Sequence, residues 1–482
     1  MKTKKLIYSL FTCSAFLLAS CSNEEEIVGN ETIGGGDKMV VSLSNEEALS
    51  LVSNNAHTLS DDEVLKAITV FEQQSDKTTR TTISNNAKII RNYKLACNSA
   101  TTRGLNSKDS IEFSLIDLGI DKTSGIAIVC RDSRYPEVLA YVPSANMQTY
   151  QTCTPMQMMI NRSQDVAIQY IEKCNSIDNT TREKALDKVC KTLEITKEQF
   201  DFAKYRSRIF IEDYDTPETR SSLQDPSGTI LTSVGPLCGT TRLIQGWPCN
   251  QFIETTKLEK YNTPQHNGHF PAGCVNVALA TMCSYIQPTI YSPDLKRNIN
   301  WNNVINSYFN PFGFESSQYD QNTPQAKEVG YLLKLFAEKT HTSFGENGGS
   351  TSTNNAASYM RSIGVNMSSS TTDLNYFNIR TSLSNLGLVY CTGSHVTNTR
   401  SDGSGNGHAW VIDGLQIRKP LTKYELQNFH CYANCKFGWI EWDFMSSYDG
   451  WYLFDTNGSI NFTFDDGYIS SNLRCVPNIR KY

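Results

Sequence analysis

The sequence predicts an α+β protein, on three observations. Apolar residues alternate between turns across Ile111–Val142, in the runs IEFSLIDLG, SGIAIVC and EVLAYV. Helical periodicity flanks that stretch on both sides. After residue 236 a second round of helices is followed by strands rather than interleaved with them, which is the α+β order. A chain of 482 residues suits two or three domains.

Composition narrows the class. The net charge of −5 gives no basic footprint for nucleic acid. The 15 cysteines are scattered without a Cys-x-x-Cys pair, so the chain is not a small disulfide scaffold. Setting aside Cys13 and Cys21 near the start leaves thirteen. If Cys274 is a free thiol, twelve of these could pair, and their pairing stays open. No cofactor and no metal are called for.

Taken in order, the chain begins with Lys2, Lys4 and Lys5 before the apolar run Leu6–Ala19, a secretory signal too short to span a membrane. Leu18-Ala19-Ser20-Cys21 resembles a bacterial lipobox, which implies cleavage after residue 20 and lipidation of Cys21. Ser22–Glu26 resembles the acidic tag with which Bacteroidetes lipoproteins are displayed on the outer surface. The expectation is an exported outer-membrane lipoprotein at the cell surface, held by its lipid alone. Residues 21–38 form a polar, glycine-rich tether. Leu43–Phe71 predicts a helix pair, with Ser44 as N-cap and Glu46 and Glu47 in the first turn. Thr78–Lys88 reads as a loop, Ile111–Val142 as antiparallel strands and Gln157–Phe210 as helices. Glu212–Gly235 is acidic, then rich in Ser, Thr, Pro and Gly, and is the best linker candidate.

Beyond the linker the composition changes. All six tryptophans, Trp247, Trp301, Trp410, Trp439, Trp442 and Trp451, lie there. Helices are predicted at Thr323–Lys339, Ala356–Ile363 and Ile379–Leu386, with a Gly/Ser/Asn loop from Phe344 to Ala356. Strands are predicted at Leu388–Thr392, His408–Asp413, Leu426–Ala433 and Gly450–Phe454.

The stretch that carries chemistry is His269–Pro288. Pro271 and Gly273 bend the chain, a buried helix starts at Cys274, and Pro288 stops it. Only Asn276, Thr281 and Ser284 interrupt its apolar and small residues. A cysteine at a helix N-terminus meets unpaired N–H groups and the positive end of the macrodipole, which favour a thiolate. A thiolate nucleophile needs a base, and His408 is the best placed histidine, just after the loop Ser401–Gly407 and at the mouth of a strand. Gln245, in a Gly/Pro loop upstream, can supply an amide to a developing oxyanion. A zinc site from His430, Cys431 and Cys435 is the weakest reading, for want of a second ligand pair.

These motifs resemble those of the streptopain family, bacterial cysteine peptidases of papain-like fold. Pro271-Ala272-Gly273-Cys274-Val275 resembles the family's nucleophile motif, and Gly407–Gly414 (GHAWVIDG) its histidine motif. Gln245-Gly246 with Pro248 and Asn250 resembles its glutamine motif, although Leu243-Ile244 stand where the family has Trp-Gly. The resemblance covers about Leu237–Asp455, and more loosely the part before it. It implies a zymogen-type endopeptidase acting on protein or peptide substrates. Cys274 would be the nucleophile, His408 the acid–base and Gln245 the oxyanion donor. The pocket would prefer a bulky apolar residue just before the cleaved one. Residues 39–211 would be an inhibitory prodomain, with helices longer than usual, 212–235 the linker cut on maturation, and 236–482 the peptidase domain.

The fourth motif departs from the family's Asn-Trp-Gly-Trp-like stretch. Aligned on Gly438 and on Trp439 as the supporting aromatic, the position of the histidine-orienting asparagine is Lys436. Asn434 lies two residues earlier, on the same strand face and about 6.6 Å away. Asn434 is the expected orienting residue and Lys436 the alternative. The second function the sequence allows is a catalytically impaired relative that serves as a surface binding or inhibitor protein.

Overall fold

The structure, a computed structural model, describes residues 39–75, 86–96, 110–120, 124–148, 150–212, 226–307, 321–346, 348–399, 405–421, 429–439, 448–457 and 471–482. The leader, Cys21, the tether, residues 213–225 of the linker and Trp442 lie outside the described residues.

Helices and strands are mixed along Val40–Tyr482, as an α+β chain requires. Strand β1 (Val41–Leu43) leads into α1 (Asn45–Val52). Ser44 caps α1 in a reciprocal box: its hydroxyl accepts from Glu47 N–H while the Glu47 carboxylate accepts from Ser44 N–H. Helix α2 (Asp61–Ser75) begins on three acidic residues, matched to its positive end. Four strands follow: β2 (Lys88–Ala96), β3 (Ser110–Ile120), β4 (Ser124–Cys130) and β5 (Val138–Asn146). Strand β2 escapes the sequence reading because Lys88, Arg91, Asn92 and Lys94 break its alternation. It is a mostly exposed edge strand, where such residues discourage further pairing.

Helices α3 (Thr154–Ser176) and α4 (Asn179–Leu193) stand where helices are predicted, and a short α5 (Phe202–Tyr205) follows. The predicted helical stretch ends too late. Ile209–Ile211 is a strand, β6, paired in parallel with β1, because three consecutive apolar residues suit a buried ladder better than an amphipathic face. Part of the predicted linker is also ordered: Ile230–Val234 forms β7 along β15 (Gly405–Arg418).

In the second half α6 (Cys274–Ile286) starts at the predicted cysteine. The small pair β8 (Tyr291–Ser292) and β9 (Arg297–Asn298) and the short α7 (Trp301–Ile305) precede α8 (Pro324–Lys339), capped by Thr323. The predicted Gly/Ser/Asn loop contains a hairpin, β10 (Ser343–Gly345) with β11 (Gly348–Ser350). Helix α9 (Thr353–Ser362) then begins earlier than expected, on the Ser352 cap. Strands β12 (Val365–Asn366) and β13 (Thr372–Asp373) and helix α10 (Tyr376–Ser384) lead to β14 (Leu388–Thr399). After β15 come β16 (Phe429–Lys436), β17 (Gly450–Asn457) and β18 (Ser471–Lys481), the last not read from the sequence.

The long strands belong to one sheet in the order β12-β18-β14-β15-β16-β17-β5-β4-β3-β2. Its continuity depends on β5 pairing with β17, where Tyr141 opposes Trp451 and Ala140 opposes Tyr452. The centre of the sheet is buried on both faces. Val389, Cys391, Trp410 and Ile412 join a core with α3 residues such as Met158 and Ile171. Leu388, Tyr390, Ala409 and Val411 join a second core with Val277, Ala280 and Leu332 of α6 and α8. Period-two alternation along β14 and β15 therefore feeds both cores, which positions the end of β15 against the start of α6.

Candidate active site

Helix α6 is buried from Val275 to Ser284, and its first residue is Cys274. The turn before it needs a residue without a side chain. Gly273 has φ +90°, and a Cβ there would press on the Gly349 carbonyl of β11. The turn is braced from both sides. Asn276 Nδ2 donates to Ala272 O and to Thr342 Oγ1, each at 2.8 Å, while Thr340 Oγ1 donates to Asn276 Oδ1 at 3.0 Å. Asn250 Nδ2 donates to the carbonyls of His266 and Phe270, at 3.1 and 3.2 Å. Asn276 thus interrupts the apolar helix because it fastens the nucleophile turn.

Cys274 is half-buried, whereas the other described cysteines are buried. Burial pushes its thiol up. The charge of His408, a hydrogen bond from His408, and N–H donation from Ala409 and Val275 outweigh that, and the thiol lies below its ordinary value. Two of these donors reflect the architecture: Val275 carries an N–H of the first turn of α6, and Ala409 belongs to β15. The structure therefore brings Cys274 and His408 together.

His408 is itself buried and held on two sides. Its Nε2 lies 3.1 Å from the Phe437 carbonyl, so that nitrogen carries the proton and donates. Its ring meets Trp439 edge-on, with centroids 5.2 Å apart. Trp439 is the residue expected as the supporting aromatic, and what the structure gives is this ring contact. Between Phe437 and Trp439, Gly438 has φ +61°, and a Cβ there would overlap Val277 in the first turn of α6. The segment that holds the histidine is thereby pressed onto the helix that holds the cysteine.

Neither predicted orienting residue reaches His408. Asn434 pairs with Gly414, six residues along β15 from His408 and about 20 Å away by strand rise. Its Cβ packs where Gly414 leaves room. Lys436 pairs with Val411, and its Nζ donates to Gly239 O at 2.9 Å. The histidine is oriented by a main-chain carbonyl instead, which no side-chain motif can reveal. Gln245 lies beside the site: its carbonyl accepts from Ala272 N at 2.7 Å, two residues before Cys274, and its side chain is half-buried. His430, Cys431 and Cys435 do not converge on a metal, and among the described residues no such cluster occurs. His430 faces Glu137 at 3.5 Å and Tyr135 at 3.4 Å.

The N-terminal part reaches the same strands from behind. Gly393 of β14 is the partner of His408, and Met158 of α3 occupies the space a Gly393 side chain would take.

No protein-family model matches the chain, and no curated protein matches it. Among solved structures it is similar to the active wild-type interpain A cysteine protease of Prevotella intermedia. That match has 18% identity and a TM-score of 0.33, and covers 55% of this chain and 99% of that one.

Proposed function

We propose that the chain is a cysteine-type endopeptidase made as a precursor. The observation that carries this reading is a thiol pushed below its ordinary value at the N-terminus of a buried helix, in contact with a histidine whose far nitrogen is already bound. In the proposed reaction the Cys274 thiolate attacks the scissile carbonyl carbon. The carbonyl oxygen becomes an oxyanion stabilised by the Cys274 N–H and the Gln245 side chain. The His408 imidazolium protonates the leaving amine, and the C–N bond breaks to give a thioester. Neutral His408 then takes a proton from water, the hydroxide equivalent attacks the thioester, the C–S bond breaks, and the carboxylic acid product leaves as the thiolate–imidazolium pair re-forms.

Residues 39–211 would act as a prodomain and 212–235 as the segment cut on maturation. The packing of α3 and β5 against β14, β15 and β17 supports a regulatory part that shares the sheet of the catalytic part. Export and attachment through Cys21 rest on the sequence of the first 38 residues. The test is to incubate the purified full chain, before and after a protease cut within residues 213–225, with a protein substrate and with an iodoacetamide or epoxide probe. Mass spectrometry then maps both substrate cleavage and label. Hydrolysis that stops in step with labelling of Cys274 supports the reading. Hydrolysis that survives complete labelling of Cys274 overturns it.

A further inference from the structure

His408 Nε2 is held by a main-chain carbonyl in a stretch outside any strand, and such an anchor is only as firm as the backbone around it. Two contacts make Phe437 firm. On its C-terminal side Gly438 is wedged against Val277. On its N-terminal side Phe437 N–H donates to Asp449 Oδ1 at 3.0 Å. The second oxygen of Asp449 faces Lys436 Nζ at 3.8 Å, and Lys436 in turn donates to Gly239 O. Lys436 and Asp449 are both largely buried, with side chains 10% and 16% exposed.

We infer that Asp449 is a positioning residue for His408, acting through the backbone of Phe437, and that Lys436 is its counter-ion. A carboxylate acceptor gives a stronger hydrogen bond than a neutral one and so fixes the torsions on either side of Phe437 Cα. This inference uses the peptidase reading above only for what His408 does. It accounts for a lysine at the place where the family motif has an asparagine. The ammonium turns away from the ring, toward Asp449 and Gly239, and the orienting work passes to the main chain.

Other ionisable groups also face this pair. Asp413 comes from β15, Cys435 from β16, Tyr452 from β17, and Cys238 from the segment after β7. On the reactive side are His408, Cys274 and Tyr390.

The test uses the full chain cut within residues 213–225, with the rate of iodoacetamide alkylation of Cys274 followed by mass spectrometry, alongside kcat and KM for a peptide. Removing the carboxylate frees Phe437 N–H and loosens the carbonyl that holds His408 Nε2, so the imidazole meets Cys274 less often. Asp449→Ala is expected to slow alkylation of Cys274 and to lower kcat, each by about ten-fold, with KM within about two-fold. Asp449→Asn keeps an oxygen for Phe437 N–H and loses only the charge, so its alkylation rate and kcat stay within about three-fold of the parent. If Asp449→Ala does not fold, Asp449→Ser, whose hydroxyl is too short to reach Phe437 N–H, takes its place with the same expectation. Unchanged alkylation and kcat in that variant overturn the inference, as does an Asp449→Asn kcat that falls as far as that of Asp449→Ala. Should Cys274 of the parent chain react no faster near neutral pH than an unfolded thiol, the peptidase reading falls along with it.

Discussion

Cys274 and Cys283 lie on one helix, nine residues apart, and their thiols are driven in opposite directions. At Cys283 burial acts alone, and the thiol is pushed far above its ordinary value; it donates to Met360 Sδ at 3.7 Å. At Cys274 burial acts too, but His408 and two backbone N–H groups overcome it. The same residue type in the same element is thus inert at one end and poised at the other. What differs is the helix end, with its free N–H groups, and the strand that delivers an imidazole to it.

The largest expected effect separates the two cysteines directly. Cys274→Ala should lower peptide hydrolysis by about a thousand-fold or more. Cys283→Ala should leave it within about two-fold while costing about 1 kcal/mol of stability, readable as a shift in the denaturation midpoint. Equal losses in both variants would mean that the two ends of α6 are not chemically distinct.

Next, Gln245→Ala should lower kcat by about a hundred-fold, because an oxyanion donor acts in the transition state. The alkylation rate of Cys274 should stay unchanged, since that reaction develops no oxyanion. Parallel loss of both rates would show that Gln245 shapes the thiol rather than the oxyanion site.

His408→Ala should convert Cys274 toward the condition of Cys283. With the charge and the hydrogen bond gone, burial dominates and the thiol rises. Each step of one in pKa removes a factor of ten in thiolate, so alkylation near neutral pH should slow by about ten-fold or more. An unchanged rate would assign the lowered thiol to the helix end alone.

The smallest effect concerns stability. Asp413 is buried, and burial pushes its carboxyl from the ordinary 3.8 up to about 6, against the pull of Lys436. Its folded pKa lies above its unfolded one. Its contribution is therefore fully present below about 4 and lost as pH rises through about 6. Asp413→Asn should stabilise the chain near pH 7 by about 1–3 kcal/mol and do nothing near pH 4, measured by chemical denaturation at both values. It is the carboxyl counterpart of Cys283, a group shifted chiefly by burial.

Much of this was readable from residue order because the readable parts are local. A cysteine after Pro271 and Gly273 marks a helix start, Ser44 and Glu47 mark another, and alternation in Trp410–Ile412 marks a buried strand. What stayed hidden depends on partners distant in sequence. Ile209–Ile211 looks helical until β1 is beside it. Nothing in EVLAYV says that β5 will pair with a strand some 300 residues later. The histidine anchor was sought among side chains, at Asn434 and Lys436, and the fold supplies it from the peptide of Phe437. Asp449 carries no motif at all. It matters only because its carboxylate lies under Phe437 N–H.

The pairing of β5 with β17 has a further consequence. Within the intact chain the two halves meet at a fixed effective concentration set by the connecting segment, so their contact is insensitive to dilution. A cut within residues 213–225 leaves every ladder bond and the α3 contacts in place and turns the same contact into a two-body equilibrium. From then on its lifetime is a dissociation rate, and dilution becomes the variable that parts the fragments. Parting also bares two strand edges, β5 on one fragment and β17 on the other. Each is then a template that re-pairs with its former partner or with a stranger.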